Sequence, residues 1–393
     1  MQLRLLLLAL GTFAIGTDAM VIAGILPLMA RDLDVPIGAA GQVVTVFSLS
    51  YAVLAPVVAT ATGRWPRRRL LLSGLALFTV ANALTALAPN YPLLLGTRVL
   101  AALGASFFTP AAVTVAAMLA PPERRGRALA LVMGGMTVAT VIGVPLGTWI
   151  GSSEWRITMW LVSALGALAL AGIWALLRAE LPVPPAVSLP GRLRWLRDRR
   201  VLGAVATTFM FFLAVQIVYI YLAPLVAPVT HGDGHRLSAL MFVSGVASVV
   251  GMAVTGRLVD RIGNRPTLIA AGVWTTLGPV ALPWASRDLT AAFVYSALAP
   301  LLAWGIVIAL QHRLSSVDAA ATPLLLSLNA SALYLGTAAA GGTGSAAISV
   351  LGERWFPLAS AGLAALATVL AVVTGRTRGA GRSAAGERVA VAG

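Results

Sequence analysis

The sequence predicts an all-α membrane protein in which twelve transmembrane helices form two pseudo-symmetric bundles of six. Hydrophobic residues make up 59% of the 393 residues and charged residues only 10%, too little charge to cover a soluble domain of this length. Apolar stretches of roughly 20 residues, the length that crosses a bilayer core, recur along the chain. Short sequence patterns also return in the second half, which indicates a duplicated unit.

The apolar stretches are separated by charged residues or by Pro and Gly, and most lack a polar stripe. The first stretch begins like a secretory signal peptide, but it continues past Asp18 to about Met29 without a small-residue cleavage site. We therefore predict that it is a membrane helix. The twelve predicted helices cover about 5–29, 40–62, 70–89, 92–119, 127–150, 156–178, 201–227, 236–258, 266–285, 289–311, 323–350 and 354–375.

The predicted domain organisation has four segments. Residues 1–178 form an N-terminal six-helix bundle, and residues 201–375 form a C-terminal six-helix bundle. Between them, the Arg- and Pro-rich segment 179–200 is predicted to be a cytoplasmic linker. The Gly-, Ala- and Arg-rich segment 376–393 is predicted to be a disordered cytoplasmic tail.

The duplication rests on two short matches at the same spacing. The pattern of residues 25–30 returns at 222–227, and that of residues 63–68 returns in part at 260–265. Parallel repeats of six helices place a binding site between the two bundles, near the middle of the membrane.

The charge pattern concerns topology and not nucleic acid. The net charge is +15 and every basic residue is Arg. The Arg residues concentrate in alternate connections, as the positive-inside rule predicts for an even number of helices with both termini in the cytoplasm. Exclusive use of Arg, with abundant Ala and Gly, indicates a GC-rich genome. We predict a multi-pass protein of the bacterial cytoplasmic membrane, surrounded by the lipid bilayer, with no nucleic-acid partner.

Asp18 is the acidic side chain that lies deepest in a predicted membrane helix. A carboxylate at that depth costs at least about 2.5–3.5 kcal/mol on insertion scales, so it must be protonated, paired or in contact with water. Such a group suits a site that loads and releases a proton. The alternative is a structural carboxylate whose oxygens are satisfied by the backbone or by a hydroxyl such as Thr17.

Arg98 is the intramembrane cation, and it lies near the outer end of the fourth predicted helix. If it pairs with Asp18, it holds the carboxylate ionised, and separation of the two side chains would favour protonation. We predict that Asp18 and Arg98 together couple protonation to a conformational change. The alternative is that Arg98 extends its long side chain to the outer interface.

Five polar side chains in apolar helices are candidates for a substrate cavity, because polar groups in membrane helices usually face the protein interior. Each could instead bridge two helices. They are Tyr51, Gln216, Tyr219, Asn329 and Tyr334. No phosphate-binding loop, nucleophile–base pair or metal-ligand spacing is present, and no Cys occurs. We expect no enzyme activity, no metal and no bound cofactor.

Four segments resemble motifs of the major facilitator superfamily, in particular its twelve-helix drug:proton antiporters near the sugar-efflux and chloramphenicol-efflux permeases. Residues 16–27 resemble the first-helix motif that contains an acidic residue, and Arg98 with Gly104 is similar to the motif of the fourth helix. The antiporter motif of the fifth helix is matched by Gly143, Pro145 and Gly147. The loop motif between helices 8 and 9, a cytoplasmic gate in the family, is matched by Gly256, Asp260, Arg261, Gly263 and Arg265.

The resemblance implies the family's fold and a monomer that exports small, fairly hydrophobic molecules, either drugs or sugar-like compounds. Alternating access driven by the proton motive force would exchange cargo for protons. The loop between helices 2 and 3 departs from the family pattern, with Gly63 in place of Asp and Pro66 in place of Gly. The Gly-rich fifth helix and the gate loop could also be ordinary packing and a solvated loop. A proton-coupled importer, a uniporter and a membrane sensor or structural protein are the alternative functions.

Overall fold

The computed structural model describes residues 2–177, 194–318 and 321–375, and these residues contain twelve helices long and apolar enough to cross a membrane. In order, α1 to α12 are Gln2–Asp32, Ile37–Ala61, Arg67–Ala86, Tyr91–Leu119, Pro122–Ile150, Trp155–Leu176, Arg199–Thr230, Gly234–Ile262, Asn264–Ala285, Leu289–Ser315, Leu324–Trp355 and Pro357–Thr374. Both described ends of the chain lie at the same face, which we call the terminal face. The opposite face is called the far face.

The helical architecture follows from the apolar sequence, because a backbone inside a bilayer must satisfy its own hydrogen bonds. Polar residues at the ends define several boundaries. Asn90 accepts a hydrogen bond from the Leu93 backbone N–H at 3.0 Å and begins α4. Asp198 accepts from the Arg200 N–H at 2.7 Å and begins α7. These caps lie at the loops, where water is available, as expected for N-cap residues.

The N-terminal bundle, α1 to α6, is packed around α1 and the α3–α4 pair. Glycines on facing helices allow α3 and α4 to approach each other closely, because a Cβ atom on Gly104 would lie 2.6 Å from the Phe78 backbone nitrogen. On α3, Gly74 occupies the matching position, where a Cβ would lie 2.8 Å from the Phe108 nitrogen. Small residues at such contacts are how membrane helices gain packing contacts in the absence of a hydrophobic driving force.

The C-terminal bundle, α7 to α12, repeats this arrangement, with contacts of α7 to α11 and α12 and of α8 to α10. The fold class is thus confirmed as twelve helices in two bundles of six. Of the predicted linker 179–200, the structure describes residues 194–200, in which Arg194–Arg197 forms one 3-10 turn. The rest of that linker and the predicted tail 376–393 lie outside the described residues.

The two bundles meet along α2 with α11, α5 with α8 and α1 with α7. The Thr45 hydroxyl donates to the Ala338 carbonyl at 2.9 Å, and the Tyr221 hydroxyl donates to the Gly341 carbonyl at 2.7 Å. On the other side, the Ser238 hydroxyl donates to the Pro145 carbonyl at 2.7 Å. These hydrogen bonds lie between mid-depth and the far face, so the bundles are closed against each other there.

We expect Gly104→Ala to lower the unfolding temperature of the purified protein, because the added methyl group would press on the backbone of α3. Overpacking of this kind costs about 1–3 kcal/mol. The matched control is Gly96→Ala in the same helix, where a Cβ atom meets nothing within 4 Å. Thermal unfolding in detergent, followed by circular dichroism, measures both variants. Equal destabilisation by the two changes would contradict the close approach of α3 and α4.

Candidate functional site

The buried site of the N-terminal bundle is an ion pair between α1 and α4. Both terminal guanidinium nitrogens of Arg98 donate hydrogen bonds to the carboxylate of Asp18, Nη1 to Oδ1 at 2.8 Å and Nη2 to Oδ2 at 2.9 Å. The Asp18 side chain is 0% exposed and that of Arg98 is 1% exposed. A bidentate geometry fixes the orientation of the guanidinium and the carboxylate as well as the distance between them. The two charges predicted from the sequence therefore lie together, and Arg98 does not extend to the interface.

Two residues that the sequence analysis did not select complete the surroundings of Arg98. The Oδ1 atom of Asn82, on α3, accepts a weaker hydrogen bond from Arg98 Nη1 at 3.4 Å. The Phe47 ring, on α2, lies under the guanidinium, with its centroid 4.8 Å from Cζ. A cation over an aromatic face is attracted by the ring quadrupole. Four helices thus converge on the guanidinium.

The hydrogen bonding of Arg98 is incomplete. Its Nε–H is buried and has no hydrogen-bond partner among the described residues. Thr17, the neighbour considered as a structural partner for Asp18, instead donates its hydroxyl to the Phe13 carbonyl at 2.8 Å. Within the described residues, Arg98 is therefore the hydrogen-bond partner of the Asp18 carboxylate. A buried pair with one orphan donor is a weak contributor to stability and a better candidate for function.

The antiporter-motif residues pack α5 directly against α1 beside this pair. A Cβ atom on Gly143 would lie 2.1 Å from Thr17 Oγ1, and one on Gly147 would lie 2.6 Å from Val21 Cγ2. The Gly143 contact lies at the end of a π-helical turn of α5, Ala139–Gly143. Such turns often occur at functional sites, since they widen the helix by one residue. Pro145 follows the turn and accepts the hydrogen bond from Ser238 across the bundles.

The five polar cavity candidates divide into three groups. The rings of Tyr51 and Tyr334 pack against each other across the two bundles, with centroids 4.1 Å apart and planes tilted by 36°. Asn329 accepts a hydrogen bond from the Thr208 hydroxyl at 2.6 Å and ties α11 to α7. Gln216 and Tyr219 line a cavity of about 190 Å³. We call this cavity the C-half chamber; its walls are mainly residues of α7, α8, α9 and α10.

Aromatic side chains of the chamber were missed by the sequence analysis, because their types do not distinguish them from lipid-facing aromatics. Trp274, Tyr295 and Trp304 line its walls. The Trp274 indole donates to the Leu298 and Ala299 carbonyls, both at 3.2 Å, which holds the ring between α9 and α10. No side chain that lines the chamber belongs to Asp, Glu, Arg or His.

The predicted gate residues lie at the terminal face. Asp260, Arg261 and Arg265 are exposed and take part in no ion pair within the described ranges. Gly256 has open space around it, and Gly263 joins α8 to α9 with φ of 86°. Positive φ favours Gly at this position. The structure does not bring these charges together in this state, and their role as a gate stays a prediction.

We expect a double-mutant cycle of thermal stability to show strong energetic coupling between Asp18 and Arg98. Arg98→Gln leaves the Asp18 carboxylate buried without its cation, and removing one partner of a buried pair typically costs about 3–5 kcal/mol. The double variant Asp18→Asn, Arg98→Gln has no buried charge and recovers much of that loss. Thermal unfolding of the single and double variants gives the coupling energy.

The control for this cycle is the exposed pair Asp32 and Arg156, whose nitrogen and oxygen atoms are 2.6 Å apart. Their side chains are 41% and 28% exposed, so the coupling is expected at about 0.2–1 kcal/mol. A coupling between Asp18 and Arg98 no larger than this value would contradict a tight buried pair.

Comparison with known proteins agrees with the fold and with the family resemblance. The family model of the Major Facilitator Superfamily matches residues 8–322. The inner membrane transport protein YdhP of Escherichia coli K12 is 31% identical over 377 residues, 95% of this chain and 96% of the relative. The chloramphenicol resistance protein of Streptomyces lividans is 35% identical over 308 residues, 76% of this chain and 78% of that protein.

A solved structure of a bacterial homologue of the human lysosomal transporter Spinster, in an inward-facing and occupied conformation, superposes with a TM-score of 0.77 at 18% identity. The match covers 95% of this chain and 96% of that one, and it concerns the fold alone. Family model, relatives and twelve-helix architecture agree, and the chain belongs to the major facilitator superfamily of multi-pass membrane transporters.

Proposed function

We propose that the protein is a secondary transporter that exports small, fairly hydrophobic molecules in exchange for protons. The observation that carries the proposal is the sealed pair of Asp18 and Arg98 near the middle of α1. The names of two relatives add support for export, since one is a chloramphenicol resistance protein and another, from Mannheimia succiniciproducens, a probable sugar efflux transporter. The proton motive force would drive the exchange.

The proposed proton step follows from the contacts of Arg98. A proton on Asp18 removes the negative charge, and with it most of the attraction that holds the guanidinium fork. Arg98 retains the Asn82 oxygen at 3.4 Å and the Phe47 ring, so it is released from α1 without losing every partner. Because Asp18 and Arg98 lie on different helices, protonation frees α1 to move relative to α4.

The contact between α1 and α5 would carry this movement to the far face. Gly143 and Gly147 leave no gap between the two helices, and a gap at this depth would let protons pass without cargo. With both termini in the cytoplasm, as we propose from the Arg distribution, the far face is the outer one. On this proposal, the closed far face corresponds to the state closed toward the outside, in which Asp18 is paired with Arg98.

We expect everted membrane vesicles to accumulate labelled chloramphenicol when their lumen is acidified, because the lumen corresponds to the outside of the cell. Asp18→Asn should abolish the response to acid, since an amide cannot carry the proton. Asn90→Ser, a conservative change at a helix cap far from the pair, is the matched control and should transport normally. Uptake into the lumen is measured by rapid filtration.

Other outcomes identify the alternative functions. Equilibration of label without accumulation, independent of the pH gradient, indicates a uniporter, and loss of label from the lumen on acidification indicates an importer. No movement of label in any condition indicates a different cargo or a sensor. Full activity of Asp18→Asn, together with a response to acid, is the result that contradicts proton coupling at this carboxylate.

We expect Gly143→Ala to increase proton leak through the protein. Its methyl group would lie 2.1 Å from Thr17 Oγ1, so α5 must move away from α1. Gly134→Ala, in the same helix with nothing within 4 Å of the new methyl group, should leave the leak unchanged. Proteoliposomes that contain a pH-sensitive dye measure the leak without substrate. Equal leak from the two variants would argue against α5 as a seal.

A further inference from the structure

We propose that the C-half chamber is the cargo site and that it binds an uncharged aromatic molecule carrying an amide or hydroxyl group. This inference rests on the proposed transport function and specifies its cargo. It also separates the cargo site from the proton site, since the chamber lies mainly within the second bundle and Asp18 and Arg98 are sealed inside the first.

The first argument is the absence of charge from the chamber walls. Its lining contains no Asp, Glu, Arg or His, and most of its surface is apolar and aromatic. An ion moved into such surroundings would lose its hydration and find no counter-charge, which costs several kcal/mol or more. The chamber therefore selects against cations and anions. Its volume of about 190 Å³ suits a small molecule and excludes a peptide or an oligosaccharide chain.

The second argument is the presence of two polar side chains in the chamber wall that are available to a ligand. Gln216 is 7% exposed, and its amide makes no hydrogen bond within the described part of the chain. The Ser296 hydroxyl, in a residue that is 8% exposed, likewise makes no hydrogen bond within the described residues. Both side chains line the chamber, so a ligand with complementary donors and acceptors can replace the water that would otherwise hydrate them. An amide or hydroxyl group offers both.

The third argument is the set of aromatic rings that surrounds these polar groups. Trp274, Tyr295 and Trp304 come from α9 and α10, and Phe211 and Phe212 come from α7. The two Phe rings pack edge-to-face, with centroids 5.7 Å apart. Flat rings of this kind favour an aromatic or similarly flat apolar body by stacking and edge contacts.

The chamber touches the first bundle at two positions, and both adjoin the proton site. Met20 lies two residues after Asp18 on α1, and its carbonyl accepts a hydrogen bond from the Tyr219 hydroxyl at 3.4 Å. Thr140 lies in the π-helical turn of α5. A cargo molecule in the chamber would thus contact α1 and α5, which pack against each other beside Asp18, without touching the carboxylate. Cargo and proton would then be coupled through α1 and α5 and would not compete for one site.

Equilibrium binding to the purified full-length protein in detergent tests this proposal. The probe is labelled chloramphenicol, a neutral single-ring compound with an amide and two hydroxyl groups. Two competitors keep its ring and add a charge: the succinate ester is an anion and the deacylated amine is a cation. Unlabelled chloramphenicol should displace the probe, whereas the charged analogues should compete at least about 10-fold more weakly, as burial of an unpaired charge requires.

Variants of the chamber locate the site. Ala303→Phe fills the cavity and should abolish saturable binding, whereas Ala270→Phe, at an exposed position of α9, adds the same ring outside the chamber and should have no effect. Gln216→Ala should weaken binding about 2- to 10-fold, the usual value of one net hydrogen bond. Size-exclusion chromatography and thermal unfolding confirm that each variant is folded, and Gln216→Asn provides a milder change if Ala303→Phe does not fold.

Asp18→Asn separates this inference from the proposed function. Saturable binding and the discrimination against charged analogues should persist in this variant, because the carboxylate does not line the chamber, while proton-driven transport is lost. Loss of binding in folded Asp18→Asn overturns the separation of the two sites. Equal competition by the charged analogues, unchanged binding in Ala303→Phe, or no saturable binding to the wild type overturns the chamber as a site for neutral cargo. Binding without transport in the wild type contradicts the transport proposal alone.

Discussion

The organisation of the first bundle depends on one constraint, the buried bidentate ion pair between Asp18 and Arg98. Two charges that are 0% and 1% exposed are tolerable only if the fork and the carboxylate keep their geometry. That geometry needs α1 and α4 at a fixed distance, with Asn82 on α3 and Phe47 on α2 closing the remaining sides. Four of the first six helices are positioned around one guanidinium.

Close helix contacts follow from this constraint. Helix α3 can present Asn82 to Arg98 because Gly74 and Gly104 let α3 and α4 approach until side chain and backbone nearly touch. On the other side, Gly143 lets α5 press against Thr17, one residue before Asp18. The glycines at these contacts therefore have a specific structural role. They set the distances at which the charged site is sealed from lipid and water.

The sequence predicted those features that depend on residue types unusual in composition or costly to place in a membrane. Twelve apolar stretches and two intramembrane charges are unusual in composition, so the spans, Asp18 and Arg98 could be selected directly. Asn82 and Phe47 could not, because an amide and a Phe are ordinary in membrane helices and only their distance from Arg98 distinguishes them. The π-helical turn, Ala139–Gly143, also has no compositional signal beyond the glycine at its end.

The cavity candidates show a second limit of the sequence. A helix that is hydrophobic all round has no amphipathic stripe, so periodicity does not tell which face points inward. Polarity therefore selected Tyr51, Tyr334 and Asn329, which the structure uses in contacts between helices, together with Gln216 and Tyr219, which line the chamber. The loop charges at Asp260, Arg261 and Arg265 were selected by motif, and pairing between them depends on a conformation that the sequence does not specify.

The distribution of polar chemistry between the bundles bears on how exchange could work. One bundle holds the buried charges, and the cavity in the other is uncharged. A carboxylate shared by cargo and proton would favour cationic cargo, because only a cation gains from the negative charge when the proton leaves. A neutral molecule gains little from that charge, so its exchange for a proton needs a mechanical connection. Met20 on α1 and Thr140 on α5 line the chamber. These two helices are in direct contact beside Asp18 and would provide the mechanical connection between cargo and proton.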